Sequence, residues 1–80
     1  MFAYDLFEHD KLQSAAKEID TAVHLSPDKP GYIRLRALVY AKLGGSSNNQ
    51  KALLDADLYL RNHADDQEII SLRTKILQHN

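Results

Sequence analysis

The chain has 80 residues, 44% of them apolar and 26% charged, and ten Lys and Arg stand against eleven Asp and Glu for a formal charge of −1. That length supports one small domain, and the composition is that of a folded globular protein rather than a disordered one. The near-neutral balance lacks the attraction that nucleic acid or an anionic membrane surface requires, and without cysteine there is neither a disulfide framework nor a thiolate metal site.

Turn signals at His9-Asp10, Ser26-Pro27-Asp28-Lys29-Pro30, Gly44-Gly45-Ser46-Ser47-Asn48-Asn49 and His63-Ala64-Asp65-Asp66 divide the chain. They leave a short leading segment and four longer ones, within one domain spanning residues 1–80. The leading segment Met1-Phe2-Ala3-Tyr4-Asp5 has no basic region followed by an apolar run, so no signal peptide is expected. It has room for about two turns of helix over 2–8, with Phe2, Leu6 and Phe7 in need of a packing partner.

A helix is predicted over 11–25, because Leu12, Ala15, Ala16, Ile19, Ala22 and Val23 recur on one helical face. Asp10 is its expected cap, with Gln13 completing a capping box. The next helix is predicted over 29–43. Pro30 falls in its first turn, Tyr32, Ile33, Ala37, Val39, Tyr40 and Leu43 form its apolar side, and Gly44 closes it. A third, over 49–62, is opened by Asn48 or Asn49 and carries Ala52, Leu53, Ala56, Tyr59 and Leu60. The last, over 66–78, is capped by Asp65 with Glu68 at the reciprocal position, and Ile69, Leu72, Ile76 and Leu77 form its stripe. Sustained alternation is absent, so the expected class is all-α. No apolar run approaches the ~18 residues of a membrane span, which makes a cytoplasmic location the default.

At an offset of 37 the chain matches itself: Ala15 falls on Ala52, Asp20 on Asp57, Asp28 on Asp65, Ile33 on Ile70, Leu35 on Leu72 and Arg36 on Arg73. Apolar pairs fill the gaps, among them Val23 with Leu60 and Tyr40 with Leu77. A helix, a turn and a second helix repeating at fixed period is the pattern of a solenoid unit, and at close helix contacts Ala15, Ala22, Ala37 and Ala52 let the backbones approach.

These residues resemble the tetratricopeptide repeat. Ile33-x2-Arg36-Ala37-x2-Tyr40 followed by Leu43-Gly44 follows the first helix of that unit, and Ala52 stands at the small position of the second. The preceding half-unit, Ala15-x3-Ile19-x2-Ala22-Val23-x-Leu25-x-Pro27, matches down to its closing Pro. The resemblance covers roughly residues 4–77. Arg36, Ala56 and Ala64 depart from the family's Leu, aromatic and Pro, and the Gly-Gly-Ser-Ser-Asn-Asn connection is about three residues long for a ~34-residue unit. It implies antiparallel helix-turn-helix repeats forming a fragment of a right-handed solenoid with a C-terminal capping helix. A narrower similarity, carried by Tyr32 to Ala37, Leu43-Gly44, Ala52 to Leu60, Asp65-Asp66, Ile69-Ile70 and Leu72-Arg73, is to the C-terminal helical segment of bacterial proteins that carry a transglutaminase-like domain upstream. None of that upstream chemistry carries over.

Chemistry is not encoded in a recognisable motif. His9, His24, His63 and His79 lie in turns or at helix ends without metal-site spacing, and helix dipoles account for His24 and His63. No nucleophile elbow surrounds any Ser or Thr, Asp55/Asp57 and Asp65/Asp66 lack the EF-hand pattern, and Gly44-Gly45 lacks a phosphate-loop context. No enzyme activity, metal or cofactor is expected. By the resemblance, the expected function is a protein–protein interaction module, taking a peptide or partner helix in a concave groove. Groove positions implied in this way include Arg34, Leu38, Lys42, Ser71 and Lys75, whose cationic members suit an acidic partner. Leu35, Leu38 and Glu68 stand where a carboxylate-clamping repeat would need Asn or Lys, which argues against that subtype. The alternative is a structural, oligomerising or accessory helical domain of a larger protein, enzymes included, self-associating through Phe2, Leu6 and Phe7.

Overall fold

The structure, a computed structural model, describes residues 9–79. They form four helices: α1 (His9–Leu25), α2 (Pro30–Leu43), α3 (Ser46–Leu60) and α4 (Gln67–His79), with no strand among the described residues. The all-α expectation holds at that level. The leading helix expected over 2–8 lies outside the described residues.

The helix ends differ from expectation in instructive ways. His9 and Asp10 are helical, so the turn expected there is replaced by helix, and the Asp10 side chain of the expected capping box lies outside what the structure describes. That pair contains neither Gly nor Pro, and Asp inside a helix costs only about 0.7 kcal/mol, so neither residue prevents the helix from running through it. Pro30 occupies the first position of α2, where its missing N–H breaks no helical bond. The chain then reverses within Gly44 and Gly45, whose φ angles of 74° and 88° lie in the region that disfavours side chains. Two glycines complete the turn, so α3 starts at Ser46, ahead of Asn48 and Asn49. Asn48 instead donates its Nδ2 back to the Gly44 carbonyl at 2.8 Å, tying the new helix to the old one. At α4 the cap is Asp66, not Asp65: its Oδ1 accepts from the Ile69 N–H at 3.4 Å. Glu68 turns away from the cap toward Arg34.

Contacts run between successive helices and also between α2 and α4. Successive helices are antiparallel, as their cross-contacts show: Asp20 meets Tyr40, Arg36 meets Asp55, and Asp57 meets Arg73. The core has two parts. Ala16, Val39, Tyr40, Ala52 and Ile76 form one cluster, and Ile19, Val23 and Ile33 form the other. Ala37, Ala52 and Ala56 have no exposed surface, so backbones at the α2–α3 contact approach across methyl groups. Tyr32 and Leu77, expected on apolar stripes, are instead exposed. Leu77 sits on the side of α4 that neither α2 nor α3 covers.

The 37-residue self-match has counterparts in space. The first residue of α4, Gln67, lies 37 positions after the first residue of α2, Pro30. Arg36 lies 3.7 Å from Asp20, and the equivalent Arg73 lies 2.5 Å from the equivalent Asp57.

Candidate functional site

The side-by-side packing of α2 and α4 leaves an open cleft of about 700 Å³ between them. Its apolar lining comes from Leu38 and Ala41 of α2 and from Leu72 and Ile76 of α4. On α2, Leu38, Ala41 and Lys42 fall three and four residues apart and therefore share a face; on α4, Glu68, Ser71, Leu72 and Lys75 do the same. Exposed Lys42, Glu68, Ser71 and Lys75 supply the polar lining. Four of the five residues selected from sequence, Leu38, Lys42, Ser71 and Lys75, thus line one cleft.

Arg34 does not line it. It belongs to a cluster at the start of α4, where its Nε donates to Asp66 Oδ2 at 2.9 Å and its Nη2 donates to Glu68. Tyr59 of α3 also donates its hydroxyl to Asp66 Oδ2, at 2.9 Å, and stacks on His63 with ring centroids 4.5 Å apart. The Arg34 guanidinium, with the Tyr59 hydroxyl, holds the Asp66 carboxyl down at about 2. The same bonds push the Tyr59 and Arg34 groups up. Because Glu68 faces Arg34, much of the negative charge at that end of the cleft is balanced, and Lys75 adds an exposed cation to its lining.

A second polar cluster lies across α2 from the first. Asp55 is 5% exposed, and Arg36 donates to both of its oxygens at 2.8 Å. This bidentate pair explains the one position of α2 where a charged residue replaces the expected Leu. Tyr40 donates to Asp20 Oδ2 at 2.6 Å, while Lys51 lies over the Tyr40 ring, 5.0 Å from its centroid. Burial, reinforced by Asp20, pushes the Tyr40 hydroxyl up to about 12. Sequence reasoning missed Asp55 as a buried group. The recurring Asp20/Arg36 and Asp57/Arg73 pairs were a visible sign that arginine is structural here, but the partner that enters the core was not marked. Among the described residues no group of three or more His, Asp or Glu is placed to hold a metal ion, and no helix is long and apolar enough to cross a membrane.

Compared with protein-family models, curated proteins and solved structures, the chain matches none.

Proposed function

We propose that this chain is a helical-repeat interaction module of the tetratricopeptide kind, and that the cleft between α2 and α4 receives a segment of another polypeptide. The observation that carries the reading is the cleft itself: Leu38, Lys42, Ser71 and Lys75, chosen from repeat position alone, line one open apolar trough of about 700 Å³. The parallel pair of equivalent helices, α2 and α4, beginning 37 residues apart, supports a solenoid repeat. So does the recurrence of the Asp20–Arg36 contact as Asp57–Arg73.

The ligand this trough suits is a short segment with one or two apolar side chains and a carboxylate. Leu38, Ala41, Leu72 and Ile76 would take the apolar part, and Lys75 the acid. Arg34 has a supporting role in this reading, because it holds Glu68 and Asp66 rather than facing the ligand. Exposed ion pairs contribute about 0–1 kcal/mol each, so affinity rests mainly on the apolar lining and falls moderately with salt.

The test is capture of a partner by affinity pull-down from the source cell, followed by binding assays with two variants. Ser71→Arg places a long side chain in the trough, and Lys75→Glu reverses its charge. Both positions are exposed, so the fold should survive, as circular dichroism would verify. Loss of binding in the first and weakening in the second support the trough. Binding unchanged in both variants moves the interaction to another surface.

A further inference from the structure

Arg36 is held from two sides and Arg73 from one. On α2, Arg36 reaches Asp55 of α3 with two hydrogen bonds of 2.8 Å and Asp20 of α1 at 3.7 Å. On α4, Arg73 reaches Asp57, the counterpart of Asp20, at 2.5 Å. No helix among the described residues stands against α4 as α3 stands against α2. Exposure follows the difference: Tyr40 is 6% exposed, whereas Leu77, 37 residues later, is 49% exposed.

The packing of α3 on α2 states what the open side of α4 accepts. Ala52 and Ala56, both without exposed surface, allow close approach, and Asp55 between them meets the arginine. The same 37-residue offset places Ala15, Glu18 and Ile19 of α1 on those three positions. Glu18 is exposed and Ala15 only half-buried, whereas Ile19 is buried in the chain's own core, so α1 presents the carboxylate and one of the two small residues of the α3 docking pattern.

We infer that copies of this chain associate head to tail, α1 of one copy packing on α4 of the next in the register that α3 adopts on α2. Glu18 of one copy meets Arg73 of its neighbour, completing the two-sided arrangement seen at Arg36, and Leu77 is covered near Ala15. Because the two surfaces differ, the contact is heterologous and leaves each end of a dimer free to extend. A single helix-on-helix contact buries less than a standard interface of about 1,600 Å², so the association is weak and concentration-dependent.

Sedimentation equilibrium of the full chain from about 10 μM to about 1 mM tests this, a range suited to weak, small interfaces. The weight-average mass should rise continuously with concentration and exceed that of a dimer. Glu18→Arg and Arg73→Glu should each sediment as monomers, since each pairs like charges across the contact. Their equimolar mixture should regain association beyond a dimer, the two variants alternating, because each end of one variant meets an oppositely charged end of the other. The double variant in a single chain should self-associate again. Glu18 makes no ion pair within the described residues, so Glu18→Arg separates association from folding. A wild-type chain that stays monomeric at the highest concentration would overturn the inference. So would single variants that associate like wild type, the behaviour expected of a dimer formed through Phe2, Leu6 and Phe7.

Discussion

Two clusters of the same side-chain types, an arginine, a tyrosine and carboxylates, lie on different faces of α2. Arg34 and Arg36 are two residues apart and therefore point about 200° away from each other around the helix. Arg34, with Asp66, Glu68 and Tyr59, sits at the water-accessible start of α4, and its strongest partners keep access to solvent. Arg36, with Asp20, Tyr40 and Asp55, closes a space among α1, α2 and α3, and Asp55 is removed from water almost entirely. The chemistry is shared, but the consequence of removing one partner is not. Water can replace a lost partner in the first cluster more readily than at Asp55, which is 5% exposed.

The sharpest way to break the comparison is Arg36→Ala. An uncompensated buried carboxylate costs about 3–5 kcal/mol, a large part of the roughly 4–12 kcal/mol that a domain of this size has in total. Thermal melts followed by circular dichroism should therefore show either a midpoint more than about 10 °C lower or loss of the transition. Replacing both partners, Arg36→Met with Asp55→Leu, should recover most of that loss, because no buried charge remains. A single variant as stable as wild type would mean that Asp55 reaches water.

Next in size is the close helix contact beside the buried cluster. Ala37→Leu and Ala52→Leu each add three carbons where no exposed surface remains, and should destabilise by about 1–3 kcal/mol. Leu77→Ala, on the open side of α4, should cost visibly less in the monomer. Equal costs would show that α4 is covered as fully as α2.

The exposed cluster is better read through pH. Asp66 lies at about 2 in the folded chain, against about 3.9 when unfolded. A depressed carboxylate stabilises the fold above its unfolded value, and that stabilisation is lost as pH falls from about 4 toward about 2. Helix content should decline over that window. Asp66→Asn retains a capping side chain but removes the charge, so its stability should depend less on acid. An unchanged acid limb would place the sensitivity at another carboxylate.

The smallest expected effect is Arg34→Ala, about 0–1 kcal/mol, because its partners remain hydrated. Raising the salt concentration should erase part of even that difference. A cost equal to that of Arg36→Ala would remove the distinction between the two faces.

Much of the architecture is legible along the chain because helix formation is written locally. Leu12, Ala16, Ile19 and Val23 declare the buried face of α1 by spacing alone, and Pro30 and Gly44 mark the ends of α2 through backbone constraints that each residue carries with it. Positions lining the α2–α4 cleft were also reachable, since the 37-residue offset in the sequence relates a face of α2 to a face of α4. Errors gathered at the caps. Asp65 and Asp66 are chemically equivalent candidates, and which one accepts the Ile69 N–H depends on where the chain leaves α3. His9-Asp10 and Asn48 have the same character: residues that suit a turn but tolerate a helix when packing favours one.

Taken alone, the sequence determined the helical class, the 37-residue repetition and the faces that must be buried, all consequences of short-range backbone preference and of apolar spacing. Only the tertiary structure decided the fate of the charges. Arg34 and Arg36 look alike in sequence, and one became a hydrated contact while the other became the partner of a buried carboxylate. The reason is that the cost of a charge depends on the water around it, and that is set by which helices pack beside it rather than by any neighbouring residue in the chain.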